Sequence, residues 1–282
     1  MGAGVNMKAE AGGGLAFAAG LALTVLLFAG GVLAAGPGAP EAPKVPEVEI
    51  TWRRAHVLLP LAKDRLAGGR MDEALIRGEL AALPAGKKFP AVLYLHGCSG
   101  LTPGNFDYMQ LLADAGYAVV APDSFARPGR PKTCDPPLHR GIPGAPFREV
   151  SAMRQEEIRF AFDRIREVAW VDQRNVFLMG HSQGGSAAAA YPNRGFRGVI
   201  VSGSVCQLGL NAPEGTPVLS VYSEDDPWRN KLSARGCEER AAERGRPIGF
   251  HLFEGDAHNL AGNARARGLI LDFLGRHAAS PR

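Results

Sequence analysis

Cysteine is scarce in this chain: four residues in 282. That excludes a small scaffold stapled by disulfides in place of a core. There is no C-x-x-C and no cluster of cysteine with histidine, so no metal is expected. Aromatic residues are only 7% and do not interleave with the basic ones. Arg53, Arg54, Lys87, Lys88, Arg127, Arg130 and Lys132 are scattered rather than gathered in a stripe. A nucleic-acid partner needs a clustered basic face, so none is expected, and the net charge of +4 reads as a solvated surface. Glycine (36) and proline (21) follow no period while 46% of the chain is hydrophobic, which rules out collagen-like and disordered classes. No internal repeat is visible.

Charge is missing altogether between Ala11 and Pro40. Lys8 precedes this stretch, Leu15 to Leu33 is an apolar run, and Val32-Leu33-Ala34 offers a cleavage site. This is the arrangement of a secretory signal, expected over residues 1–35. The alternative is an uncleaved anchor, since the run is long enough to span a bilayer. Either way the bulk of the protein is expected outside the cytoplasm, periplasmic or secreted, with the N-terminal segment its sole route to a membrane. Residues 36–47 carry prolines at 37, 40, 43 and 46 and read as a stiff tether. Residues 48–282 then suffice for one large α/β domain.

From residue 47 onward, short apolar runs alternate with helical patterns. Val48–Leu59 and Leu75–Leu83 read as antiparallel edge strands. Ala91–Leu95, Tyr117–Ala121, Val176–Met179, Gly198–Ser202, Val218–Tyr222 and Ile248–Phe253 read as buried strands. Helices are expected over Phe106–Ala115, Glu149–Val168, Gly184–Tyr191, Asn230–Arg244 and Asn263–His277. Unalternating strands separated by helices imply a mostly parallel sheet with helices on both faces.

Gly180-His181-Ser182-Gln183-Gly184 closes the strand VFLM and opens the small-residue helix GGSAAAA. This is the strand–turn–helix setting of a nucleophile elbow, where small residues flank the serine because strand and helix pack closely. A serine hydroxyl needs a positioned base, itself oriented by a carboxylate, and both follow such elbows in the chain. Ser223-Glu224-Asp225-Asp226-Pro227 follows the strand VLSVY, and Asp226 lies 44 residues past Ser182. His258 comes 32 residues later, just past the strand ending at Phe253. His56, His96, His139 and His181 precede the serine, His251 lies inside a strand and His277 in the last helix. Each reads as structural, whereas Glu224, Asp225 and Asp226 all stay open as the acid. Oxyanion donors are expected from the Gln183 N–H and from the loop His96-Gly97-Cys98-Ser99-Gly100, with the Cys98 N–H first and Ser99 second. Cys98 as a thiol nucleophile has no elbow to sit on. Phe125, Arg127, Arg130, Phe147 and Trp228 lie in segments that either overhang a pocket or pack as ordinary loops.

The segments FPAVLYLHGCSGL, APDSFARPG, WVDQRNVFLMGHSQGG, SEDDPW and FEGDAHN appear in this order. Together they resemble the dienelactone hydrolase family from about Val48 to the C-terminus. The resemblance implies an α/β-hydrolase fold, no cofactor, and a small-molecule ester or lactone as substrate. The family's nucleophile is cysteine, where this chain has Ser182; that points to a serine esterase-like relative. The family's acid follows a G-x-x-D pattern. Ser223 replaces that glycine here, and counting three onward selects Asp226. The sheet order that the resemblance implies sets Cys98 near Cys134 and Cys206 near Cys237, so these two bridges are expected. A peptidase of the prolyl-oligopeptidase type shares fold and triad, but nothing here resembles its propeller domain. A catalytically silent hydrolase fold serving as an envelope binding protein has no need of an intact Ser182, Asp226 and His258.

Overall fold

The computed structural model describes residues 45–62, 65–134, 148–192, 194–232 and 236–280. The leader, most of the tether, His139 and Phe147 lie outside them. Eight strands form one sheet in the order β2-β1-β4-β3-β5-β6-β7-β8. Their spans are β1 His56–Ala62, β2 Arg65–Arg70, β3 Phe89–Leu95, β4 Ala118–Ala121, β5 Val171–His181, β6 Val199–Ser202, β7 Val218–Ser223 and β8 Gly249–Phe253. β1 runs antiparallel to β2 and β4, and every other pairing is parallel.

The helices are α1 Glu47–Arg53, α2 Ala74–Ala81, α3 Pro103–Asp114, α4 Arg148–Glu167, α5 Gln183–Ala190, α6 Pro227–Leu232, α7 Cys237–Glu243 and α8 Ala264–His277. Two apolar layers flank the sheet. One joins Trp52 of α1, Ile158 and Phe162 of α4, the alanines of α5 and Ala241 of α7 to strand residues such as Leu93 and Leu178. The other joins Met109 and Leu112 of α3 and Ile270, Phe273 and Leu274 of α8 to Val92, Phe177 and Ile200. Residues 91–95 of β3 are all fully buried, as a strand covered on both faces requires. Pro103 at the start of α3 and the Asn263 side chain, which accepts from Ala266 N at 3.0 Å, set two of the helix starts.

Three expectations are corrected. Val48–Leu59 is not one strand: Val48, Thr51 and Trp52 are buried at helical spacing, and only from His56 does the chain extend. Leu75–Leu83 is the amphipathic turn of α2, which buries only Ile76. The edge strand is instead β2, whose two glycines and terminal arginines hide it from a search for apolar runs. The helix expected over Asn230–Arg244 is two, α6 and α7, the second starting after Gly236.

The chain reverses its direction of travel across the sheet at β3, which pairs with β4 on one side and β5 on the other. Ligand crevices in open α/β sheets form outside the carboxyl ends of strands at such a switch. Leu95 pairs with Gly180 there, so the loop after β3 and the turn after β5 emerge side by side.

Beneath that crevice α4 buries charge. Arg154 and Glu157 are both 0% exposed, with Arg154 Nη1 donating to Glu157 Oε2 at 3.0 Å. Ser124 Oγ donates to Glu157 Oε1 at 2.8 Å, and Arg154 Nη2 donates to the His96 carbonyl at 3.0 Å. Arg127 and Arg130, left open in the sequence between a pocket wall and solvated charges, are buried on the same network: Arg127 Nη2 reaches Glu156 Oε2 at 2.7 Å and Arg130 Nε reaches Ser124 Oγ at 2.9 Å. Removing one member of a buried pair leaves an uncompensated charge. Glu157→Ala should therefore lower stability by about 3–5 kcal/mol, measured by urea unfolding at neutral pH. A loss below about 1 kcal/mol would show the arginines to be solvated.

Candidate active site

Ser182 stands between β5 and α5 with φ 56° and ψ −121°, a strained conformation for a residue with a side chain. Neighbours on every side hold it. Ser182 N donates to the Ser202 carbonyl at 2.8 Å, and Ser186 N donates back to the Ser182 carbonyl at 3.0 Å. A methyl group on Gly180 would strike the Gly184 backbone, and one on Gly184 would strike the carbonyls of Leu95 and His96. Glycine at both positions is what lets α5 start so close to the sheet.

Asp226 follows β7 and His258 follows β8. His258 Nδ1 lies 2.8 Å from Asp226 Oδ2, while Trp228 N donates to Asp226 Oδ1 at 2.8 Å. Asp226 is 2% exposed, whereas Glu224 and Asp225 face solvent. Of the three adjacent acids, only Asp226 meets the histidine. Ser223, the departure from glycine, donates its hydroxyl to the Ala257 carbonyl at 2.8 Å and ties the acid's strand to the histidine's loop. Tyr108 of α3 supports that loop from the other side: its hydroxyl accepts from Leu260 N at 3.0 Å and shares a 2.6 Å hydrogen bond with Ser202. Burial and the Ser202 and Leu260 contacts leave the phenol at about 12, so it stays neutral.

The loop His96–Gly100 begins at the end of β3 and faces the serine; a methyl on Gly97 would lie 3.3 Å from Ser182 Cβ. His96 is wholly buried and accepts from Ser124 N at Nε2 (3.1 Å), so its Nδ1 carries the proton given to the Gly97 carbonyl (2.7 Å). Disulfides join Cys98 to Cys134 and Cys206 to Cys237, with Cα separations of 5.4 and 4.9 Å. Among the described residues, no turn, loop or cap carbonyl accepts the Cys98 or the Gln183 N–H. A cavity of about 970 Å³ opens beside Cys98, lined by Leu101, Phe106 and Phe125 and by the charged Arg70, Asp123 and Lys132. Trp228 lies against His258, with ring centroids 6.2 Å apart. Among the described residues no three His, Cys, Asp or Glu side chains are grouped to hold a metal, and no helix is long and apolar enough to cross a membrane.

The dienelactone hydrolase family profile matches residues 77–278. The chain belongs to the dienelactone hydrolase family. As a member it is an α/β-hydrolase and a carboxylic ester hydrolase. A candidate dienelactone hydrolase from Klebsiella pneumoniae is similar in structure at a TM-score of 0.51 and 17% identity, covering 68% of this chain and 89% of that one. The acylaminoacyl peptidase of Pyrococcus horikoshii gives 0.50 at 15%, covering 71% of this chain and 39% of that one. An esterase from Pyrobaculum calidifontis gives 0.48 at 16%, covering 70% and 80%. At these identities the first two likenesses speak to the fold alone. A comparison with curated proteins gives no match.

The glycine-flanked turn and the strand ends mark Ser182, Asp226 and His258 in the sequence, and the structure pairs His258 with Asp226; the side chains packed beneath them are less marked. Arg154 and Glu157 sit three apart on the apolar face of α4, a spacing that was visible. Tyr108 left no such trace.

His181 sits just before the serine, its ring centroid 4.9 Å from that of His258. Burial, and next the charge that His258 would add, lower its pKa to about 3; burial likewise drives His96 well below the usual range. Both rings stay neutral in the fold while their unfolded counterparts protonate near 6.5. Their contribution to stability is therefore present above that pH and is lost as pH falls below about 6.5, at about 1.4 kcal/mol per unit for each ring while it stays neutral, for His181 down towards about 3. Urea unfolding from pH 7 to 4.5 should show this slope, and His181→Gln should reduce it by one ring's share. An unchanged slope would mean that native His181 takes up a proton.

Proposed function

We propose that this family member is an exported serine hydrolase that cleaves a small ester or lactone through an acyl-enzyme, with Ser182 as nucleophile, His258 as base and Asp226 as its orienting acid. The observation that carries the reading is the 2.8 Å contact of His258 Nδ1 with a buried Asp226, together with a glycine-flanked elbow at Ser182 whose preceding residue, His181, has its ring centroid 4.9 Å from that of His258. An Nδ1–H bonded to the carboxylate leaves Nε2 as the basic nitrogen. His258 takes the Ser182 proton as the hydroxyl attacks the carbonyl carbon, and the Cys98 and Gln183 amides receive the negative oxygen. His258 then protonates the leaving alcohol, which for a lactone stays attached as the far end of the acyl chain. Water, deprotonated by the same ring, releases the acid and restores the serine. Neither a metal nor an organic cofactor enters this sequence of steps. The cavity beside Cys98, apolar on its Phe106 and Phe125 walls, is of a size that accepts a small-molecule substrate.

In this reading residues 1–35 direct export and are removed, residues 36–47 are a tether, and residues 48–282 form the catalytic domain. Two disulfides favour an oxidising compartment. Ser182→Ala should abolish hydrolysis of p-nitrophenyl esters and labelling by a fluorophosphonate probe without changing the unfolding midpoint. Asp226→Asn should lower kcat by about 10⁴-fold by imposing the wrong tautomer, while Asp225→Asn, on an exposed side chain, should change it less than about threefold. Near wild-type turnover in Ser182→Ala would remove the serine from the mechanism.

A further inference from the structure

The two amides assigned above to the oxyanion belong to residues far apart in sequence, and one short piece of chain is joined to the side chains of both. Arg130 Nη2 donates to Gln183 Oε1 at 3.0 Å, and Gln183 Nε2 donates to Thr133 Oγ1 at 2.7 Å. The next residue, Cys134, is bonded to Cys98. On the serine-hydrolase reading, we propose that residues 130–134 are a strap that sets the two oxyanion donors against each other, with Arg130 and Thr133 as positioning residues.

Both ends of the Gln183 side-chain amide are committed to this strap, so its rotamer is fixed. Gln183 directly follows the strained Ser182, and the direction of its N–H depends on the torsions on either side of that amide. A side chain pinned at its far end restrains those torsions. The strap itself has little freedom to drift. Thr133 is 1% and Arg130 7% exposed, and the Arg130 guanidinium also bonds to Ser124 and to the Pro131 carbonyl and lies over the Phe125 ring at 4.8 Å. Ser124 is in turn bonded to Glu157, so the strap is anchored in the buried charge network. The Cys98 amide is fixed from the same anchor, through the disulfide on one side and through His96, bonded by Ser124 N and Arg154, on the other. A donor displaced by about 1 Å stabilises a developing oxyanion poorly while leaving ground-state binding intact.

The test compares Thr133→Val, Thr133→Ser and Cys134→Ser using p-nitrophenyl butyrate and a trifluoromethyl ketone, whose adduct with a serine places an oxyanion where the transition state has one. Thr133→Val should lower kcat by about 10–100-fold with KM within about twofold, and weaken ketone inhibition by a similar factor. Thr133→Ser, which keeps the hydroxyl, should restore both, and Cys134→Ser should show the same split as Thr133→Val. If Thr133→Val does not fold, Gln183→Met removes the same tether from a half-buried side chain and should give the same pattern. Wild-type kcat and ketone affinity in Thr133→Val or Gln183→Met, and in Cys134→Ser, would overturn the strap; with Ser182→Ala inactive, the serine mechanism would still stand. An active Ser182→Ala would overturn both.

Discussion

The close approach of α5 to the sheet is the constraint on which this site depends. Helix and strand can meet at Ser182 only because Gly180 and Gly184 present no side chain where backbone from Leu95, His96 and Gly184 already lies. The same approach forces the serine into its strained turn and lifts its hydroxyl out of the sheet. Because Leu95 is in register with Gly180, it also brings the loop after β3 against the turn. A larger residue at either glycine would therefore disturb Ser182 and the His96–Gly100 loop together, through one contact.

Around that approach the molecule uses two kinds of support. On the Asp226 and His258 side the links are single hydrogen bonds between neutral groups, the Ser223 hydroxyl to the Ala257 carbonyl and Leu260 N to the Tyr108 hydroxyl. On the His96–Gly100 side they involve buried charges, running from Glu157 through Ser124, Arg154 and Arg130. Buried ions are expensive to bring out of water, and a pair replaced by apolar residues is often no less stable. Their use here fits a requirement for direction: a guanidinium has several donors at fixed angles, and an apolar side chain has none.

Most of the fold was legible because its strands are unbroken apolar runs and its functional turns carry glycine at forced positions. The order of Ser182, Asp226 and His258 along the chain, each just past a strand, was legible for the same reason. What stayed hidden had no pattern of its own. The helix over Glu47–Arg53 has the β-branched residues of a strand, and only tertiary burial of Val48 and Trp52 decides it. The β2 strand carries two glycines and no apolar run. Arg127 and Arg130 look like any surface arginine in sequence; their partners lie on α4 and at the start of α5, brought near by the fold alone. Composition reports that charge exists, whereas burial depends on where the chain returns.

The two disulfides close rings of chain, one over residues 98–134 and the other over residues 206–237. A single peptide-bond cut inside either ring leaves the two fragments covalently joined even after unfolding. Asp226 and the whole of β7 lie inside the second ring, so a nick beside the acid cannot release it. Ser182 and His258 lie outside both rings. A cut between residues 182 and 206, or between 237 and 258, divides the chain into pieces held only by packing, and it is through those stretches that a protease would separate the serine from the histidine.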